Sequence, residues 1–238
     1  MATMTVPSHV TEESLCDIQI ETAKKADTVG EFQRIFTQEA FRVMTYADPE
    51  IAEVVQSRID VITEATKDQT HITLAKTDAG VLGYARVGGG DGGIVLSEQY
   101  FGEITTMDDA AQMQHAGAHE QRHGEQVTLN DGVVFNGESI DALLLYEGDA
   151  ELAANSAMNM AATDHRDGQP DAVYAEGQNV AYAMQQVVGT ELWNTVMTDT
   201  GDVYALQQAL DEAGHGQTHI AKTSYQNAPA TYEGALAS

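Results

Sequence analysis

Hydrophobic residues follow two different spacings near the start of the chain. In the segment CDIQIET, Cys16, Ile18 and Ile20 alternate with polar residues, which predicts a half-buried strand. In residues 29–47 the hydrophobic residues instead recur on one face of a helix. The pattern therefore predicts a strand followed by a helix.

A second helix and a small sheet are predicted next. A helix is predicted over residues 48–66, with Pro49 in its first turn. Proline is favoured there because the N–H that it lacks would have no partner within the helix. Three short runs of strand character follow, HITLAK, LGYARV and GIVLSE, with turn-forming residues between them. The segment GGGDGG lacks the lysine and the serine or threonine that a phosphate-binding loop needs after its glycines, so we interpret it as a flexible turn between two strands.

The second half of the chain has mainly helical spacing. TTMDDAAQMQHAGAHEQRH predicts a helix with Thr106 as its N-cap and with Asp108 and Asp109 in the first turn, where the helix dipole favours negative charge. Three further helical segments are predicted, over residues 142–158, 176–197 and 202–214. Within them, we expect Trp193 and Met184 to belong to the hydrophobic core.

These elements predict an α+β fold in which a small antiparallel or mixed sheet is followed by a mainly helical half. Because no proline- or serine-rich linker divides the 238 residues, we expect one domain over residues 1–238, with loose tails at 1–12 and 226–238. No apolar run reaches the roughly 18 residues that a membrane span needs, and the start of the sequence lacks the features of a signal peptide. We therefore expect a protein that is cytoplasmic or is exported without a signal peptide of the usual kind.

The charge and the cysteine content narrow the possible functions. The chain has 37 acidic and 11 basic residues and a net charge of -26, so its surface should repel nucleic acids and anionic membranes, while cationic partners remain possible. Such a surface is typical of proteins adapted to high salt, and a decoy that imitates DNA is a second interpretation. Because Cys16 is the only cysteine, a metal would have to be bound by His, Asp or Glu.

Two histidines four residues apart suggest such a metal site in the segment HAGAHEQRHGEQ. His119 and His123 share one face of the predicted helix, so both imidazoles can reach one metal ion, and Glu120 lies one position round the helix. Zinc hydrolases use this arrangement because the metal lowers the pKa of water and polarises a carbonyl, while a nearby carboxylate transfers the proton. A third protein ligand is still needed.

The segment ALLLYEGDAELAANSAM offers two candidates for the third ligand. Glu147 and Glu151 interrupt a helical face that is otherwise apolar. Burying an unpaired carboxylate is costly, whereas a metal ion or a hydrogen-bonded histidine would satisfy it. The alternative is that this face is exposed and that both acids belong to the general acidic surface.

The sequence HEQRH followed by EGDAE resembles the gluzincin metallopeptidases over roughly residues 70–160. The resemblance implies a zincin-like fold and Zn²⁺ bound by His119, His123 and Glu147. It further implies that Glu120 is the general base and that Glu151 orients His119 from behind. The order of elements before the motif also resembles compact peptidase domains of bacterial effectors and toxins.

The surrounding residues distinguish this motif from related ones. Gln126 and Leu129 stand where metzincins have a glycine and a histidine, which excludes that family. Arg122 and Glu125 add charges to the motif and should face solvent or form a salt bridge. His115, one turn before His119, is expected to be a partly buried polar residue, and the alternatives are that it lines the cleft or binds a second ion. The resemblance also implies a residue that stabilises the oxyanion, and its candidates are His165, Tyr174 and Tyr182.

The sequence therefore predicts a zinc-dependent endopeptidase that acts on a peptide or protein substrate. In such folds an edge strand before the active-site helix pairs with the substrate, and GGIVLSE, residues 92–98, is the candidate. One alternative is a catalytically silent protein of the same fold with a structural or interaction role, although the presence of Glu120 argues against it. The other is an acidic binding protein without a metal. The oligomeric state is not indicated.

Overall fold

A computed structural model describes residues 11–45, 47–162 and 172–216, and the chain in these ranges is α+β. It divides into two compact units. The first unit consists of the described part of Met1–Tyr84 together with Val95–Gly117. The second unit consists of Ala85–Ile94 together with the described part of Ala118–Ser238. The expectation of a single domain stays a prediction. Of the expected tails, 226–238 lies outside the described residues, while Thr11 and Glu12 of the first tail belong to the start of a helix.

The first unit is mainly helical. Its helices are α1 (Glu12–Ala23), α2 (Val29–Met44), α3 (Pro49–Ala65), α4 (Glu98–Glu103) and the first part of α5 (Met107–Glu125). The predictions for α2, α3 and α5 are confirmed, with Pro49 in the first turn of α3 and the Thr106 hydroxyl accepting a hydrogen bond from Asp109 N at 3.1 Å. The core of this unit includes Phe32, whose ring centroid lies 5.5 Å from that of Phe101.

The predicted strand at CDIQIET is wrong, because this segment lies within α1. Thr11 begins the helix with a capping box, in which its side chain accepts from Ser14 N and the Ser14 side chain accepts from Thr11 N. The buried positions of the helix include the polar residues Gln19 and Thr22. Gln19 donates to the carbonyls of Phe101 and Ile104, so its burial is satisfied by hydrogen bonds that an apolar pattern does not reveal.

A three-stranded sheet follows α3, as the three short runs predicted. Its strands are β1 (Thr73–Ala75), β2 (Gly83–Ala85) and β3 (Ile94–Ser97). Their order is β1-β3-β2, and β1 pairs with β3 in parallel, with Thr73 opposite Val95. The expectation of an edge strand at residues 92–98 is therefore wrong, since β3 is the central strand and its backbone already has neighbours on both sides.

The second unit contains the end of α5 and most of the remaining described chain. Its strands form the antiparallel hairpin β4 (Val133–Phe135) and β5 (Glu138–Ile140). Its helices are α6 (Ala142–Ala157), α7 (Ala172–Val188), α8 (Thr190–Thr195) and α9 (Val203–Glu212), with a π-helical turn after α8.

The core of the second unit is formed by side chains from the hairpin and from α6 to α9. Trp193 and Met184 are fully buried in it, which confirms the prediction that both are core residues. Among the helices of the described ranges, none combines the length and the apolar character that a membrane crossing requires.

Candidate metal centre

The last two turns of α5 carry His119, Glu120 and His123, and the glycine-rich segment caps this end of the helix. Gly88 N donates to His123 O at 3.2 Å, and Gly90 N donates to Gly124 O at 3.0 Å. Gly88 and Gly90 both have positive φ, a conformation that glycine adopts without strain. The interpretation of GGGDGG as a connection between two strands is confirmed, and capping α5 is a second role that the sequence did not indicate.

Helix α6 presents its glutamates from within the same unit. Asp141 caps its first turn by accepting from Leu144 N at 2.9 Å. Glu147 is 6% exposed and Glu151 is 3% exposed, so the alternative in which these acids face solvent is wrong. Gly148, directly after Glu147, allows α7 to pack closely, because a Cβ there would lie 2.1 Å from the carbonyl oxygen of Gly177.

Three buried ligand atoms converge where α5 and α6 meet. His119 Nε2 lies 2.9 Å from His123 Nε2, and Glu147 Oε2 lies 3.3 Å from the first and 3.5 Å from the second. Tetrahedral ligands at roughly 2.0–2.1 Å from a zinc ion are about 3.3–3.4 Å from one another. The two distances to Glu147 Oε2 are close to this value and the distance between the two Nε2 atoms is shorter, so the three predicted ligands form a group that could hold one small metal ion.

The other ring nitrogen of each histidine faces an oxygen atom. His119 Nδ1 lies 3.1 Å from Glu151 Oε1, and His123 Nδ1 lies 2.8 Å from Gln126 Oε1. A carboxylate oxygen and an amide oxygen accept hydrogen bonds, so both contacts favour a proton on Nδ1. In the neutral rings this leaves the lone pairs on the two Nε2 atoms, which point at each other and at Glu147.

This concentration of electron-rich atoms favours a positive charge at the site, which either a proton or a metal ion could supply. Among the described residues, no donor reaches Glu147 Oε2 with hydrogen-bond geometry. Burial raises the pKa of Glu147, but the adjacent His119 and His123 outweigh burial and lower it to about 2. Burial lowers the pKa of His119, yet Glu147 and Glu151 raise it well above its ordinary value. A proton on His119 can supply the positive charge, and a divalent metal ion would supply more.

Glu120 is a fourth ionisable group in this cluster. Its side chain is buried, and burial raises the pKa of its carboxyl. The charges of His119 and His123 oppose this shift, while those of Glu147 and Glu151 reinforce it. A carboxyl with a raised pKa exchanges protons more readily near neutral pH, which is the property that a general base and acid needs.

A hydrogen-bond network centred on Asp149, which Gln126 links to His123, was not predicted from the sequence. Asp149 accepts four hydrogen bonds, from Arg122 Nε at 2.7 Å, Arg122 Nη2 at 3.0 Å, Gln126 Nε2 at 2.9 Å and Trp193 Nε1 at 2.7 Å. The expectation that Arg122 and Glu125 face solvent or form a salt bridge is confirmed, since Arg122 pairs with both Asp149 and Glu125. The position of Gln126 beside His123 could have been predicted from helical spacing, because the two residues are three apart.

The remaining predicted residues are not members of the three-residue group or lie outside the described residues. His115 is buried in the part of α5 that belongs to the first unit. Its predicted alternatives, a cleft position or a second ion, stay predictions. His165 lies outside the described residues, as does the side chain of Tyr174. Tyr182 is half-buried in α7, and no oxyanion-stabilising residue is identified among the described side chains.

Comparison with known proteins gives no relative for this chain. No protein-family model, no curated protein and no solved structure matches it.

Proposed function

We propose that this chain is a zinc-dependent endopeptidase of the gluzincin type, which hydrolyses peptide bonds in a peptide or protein substrate. The observation that supports this most is the convergence of His119 Nε2, His123 Nε2 and Glu147 Oε2 within 3.5 Å of one another. All three residues are buried, and a buried glutamate, Glu120, directly follows the first histidine.

The chemistry of the donor atoms favours zinc among the common divalent metals. Two imidazole nitrogens and one carboxylate oxygen are a ligand set that zinc hydrolases use, with one position left for water or substrate. Calcium and magnesium prefer sites built from oxygen atoms alone. The spacing of the three atoms and the lack of a donor at Glu147 Oε2 among the described residues both agree with a bound cation of this kind.

The residues around the three ligands have separate tasks in this proposal. When bound, zinc supplies a Lewis acid that lowers the pKa of water and polarises the scissile carbonyl. Glu120 takes a proton from the attacking water and returns it to the leaving amine. Glu151, whose Oε1 lies 3.1 Å from His119 Nδ1, favours a proton on that nitrogen and so keeps His119 Nε2 available for the metal.

Metal content is the first experiment, because it separates the proposal from its alternatives. Protein purified without added zinc is expected to contain about one equivalent of it by elemental analysis. Absence of zinc, even after zinc is supplied, would contradict the proposal and favour an acidic binding protein. Zinc without cleavage of any unstructured protein substrate would favour a catalytically silent protein of the same fold.

The role of Glu120 is tested by Glu120→Gln. This change keeps the size of the side chain and removes the base, so we expect zinc to stay bound while cleavage of a casein-like substrate falls by roughly two to four orders of magnitude. Glu138→Gln, at an exposed position in β5, is the matched control and should retain full activity. Cleavage by Glu120→Gln at the wild-type rate would exclude the assigned role.

A further inference from the structure

We infer that Gln126 and Asp149 are positioning residues that hold the ring of His123 in the tautomer and orientation needed to bind a metal ion. The inference rests on the proposed function, since it takes His123 as a metal ligand. It adds a second support to the site, at His123, to the one that Glu151 provides at His119.

The orientation of the Gln126 amide is determined by its surroundings. Gln126 Nε2 lies 2.9 Å from Tyr146 O and 2.9 Å from Asp149 Oδ2, and both of these atoms accept hydrogen bonds. The two hydrogens of the amide are therefore both used. Reversing the amide would place its oxygen against two acceptors in a fully buried position, which would cost two hydrogen bonds.

The orientation of Gln126 in turn determines the tautomer of His123. Gln126 Oε1 lies 2.8 Å from His123 Nδ1, so this nitrogen has to carry a hydrogen and donate it. The neutral ring then has its lone pair on Nε2, the atom that faces His119 and Glu147. The opposite tautomer would leave two acceptors facing each other at the same distance, which is unfavourable in a buried site.

Asp149 keeps Gln126 in place. Its carboxylate is saturated by four hydrogen bonds from three side chains, and the guanidinium of Arg122 balances its charge. Trp193, one of the donors, is fully buried in α8, while Arg122 and Gln126 lie at and beyond the last turn of α5. Asp149 in α6 thus connects α8 to the end of the helix that carries His123, and Gln126 cannot turn away without breaking this network.

Gln126→Met tests the inference, because methionine has a similar length and neither donates nor accepts in the same way. We expect the affinity for zinc, measured by competition with a chelating indicator, to fall about 10- to 100-fold. In ¹⁵N-labelled protein freed of metal, the ring nitrogens of His123 should lose the signature of a single Nδ1-protonated tautomer. Gln69→Met is the matched control, since Gln69 is also buried and bonds to backbone carbonyls, and it should change neither measurement.

The outcomes separate this inference from the proposed function. If wild-type protein binds zinc and Gln126→Met binds it equally well with an unchanged His123 tautomer, the inference is wrong and the proposed function stands. If wild-type protein binds no zinc, the proposed function itself fails. Should Gln126→Met not fold, the wild-type spectrum still decides, because an Nε2-protonated His123 in the neutral ring would overturn the inference.

Discussion

Glu147 and Asp149 lie two residues apart in α6 and are both buried, yet their surroundings are opposite. Asp149 receives four hydrogen bonds from within the chain, two of them from the guanidinium of Arg122. Glu147 Oε2 faces the nitrogens of His119 and His123 and, among the described residues, no hydrogen-bond donor. One carboxylate is compensated by the fold itself, whereas the other depends on a proton or a metal ion.

A structural acid and a proposed metal ligand can occupy the same helix when their side chains have different partners. Positions two apart on a helix face different directions, so α6 can hold Glu147 among the α5 histidines and Asp149 towards Arg122 and Trp193. Burial alone does not separate them, since both are nearly inaccessible. The partners separate them, because a guanidinium never releases its protons in proteins, whereas an imidazole gives up a proton to become a ligand.

Removing the charge of Asp149 should have a larger effect on the stability of the metal-free protein than removing that of Glu147. We expect Asp149→Asn to lower the free energy of unfolding of the metal-free protein by about 3 kcal/mol or more, because Arg122 would keep a largely buried charge without its main partner. Glu147→Gln should cost less than this, and its cost should shrink above pH 6.5, because the charge of Glu147 is compensated by the proton on His119 and not by a permanent cation. Urea unfolding measures both.

Asp199→Asn, at an exposed position after α8, is the control for Asp149→Asn and should leave the unfolding curve unchanged. If Glu147→Gln destabilises the metal-free protein as strongly as Asp149→Asn does, the two acids do not differ in the way proposed.

Zinc affinity distinguishes the proposed role of Glu147 from that of Glu151, the third buried acid of α6. Glu147→Ala leaves only two protein ligands, so zinc binding should weaken by far more than 100-fold. Glu151→Ala removes an acceptor behind His119 and should weaken binding about 10- to 100-fold. Titration of both variants with zinc gives the answer, and a nearly intact affinity in Glu147→Ala beside a collapsed one in Glu151→Ala would exchange their roles.

The acids of α6 and the histidines of α5 could be selected from the sequence because their arrangement is local. His119 and His123 are four residues apart on one helix, and so are Glu147 and Glu151, so helical spacing alone put each pair on one face. Which glutamate would bind a metal ion did not follow from spacing, and that assignment came from the gluzincin resemblance. The contacts of Glu147 with Nε2 and of Glu151 with Nδ1 agree with that assignment.

What the sequence did not reveal depends on residues far apart in the chain. Asp149 is recognised as a buried anchor only through Arg122 and Trp193, which are 27 and 44 residues away. The central place of β3 results from its parallel pairing with β1, and such pairing leaves no short-range signal. The incorrect strand at CDIQIET has a related cause, since the buried Gln19 is satisfied by carbonyls more than 80 residues later.

The pH dependence of stability is a third way to test the comparison, in protein freed of metal. Burial lowers the pKa of His119, but its acidic neighbours raise it above the ordinary value of 6.5. The stability that protonated His119 contributes is therefore complete below pH 6.5 and is lost as the pH rises through the pKa of the folded protein. Burial raises the pKa of Glu147, but the two histidines lower it from 4.5 to about 2. The stability that ionised Glu147 contributes is therefore present above pH 4.5 and is lost as the pH falls towards 2.

We therefore expect the stabilisation from this pair to be greatest between about pH 4.5 and 6.5. The measurement is the difference in melting temperature between the wild type and His119→Gln at each pH, because exposed groups contribute equally to both proteins. The difference should shrink above pH 6.5 in metal-free protein. A difference that grows from pH 6.5 to 9 would contradict the raised pKa of His119.

Salt should change the strength of the pair formed by Asp149 and Arg122 only slightly. The chain has a net charge of -26, so its acidic groups should repel one another at low ionic strength. Salt at 0.1 M screens exposed charges over a Debye length of about 10 Å. The melting temperature should therefore rise with added salt. A largely buried pair is screened much less. The loss of stability in Asp149→Asn should therefore change by less than about 0.5 kcal/mol between low and high salt, while the stability of both proteins rises. If the loss of stability in Asp149→Asn disappears at high salt, Asp149 acts as part of the acidic surface. If the stability of the wild type is instead greatest in dilute buffer, a cationic partner is the better explanation for that surface.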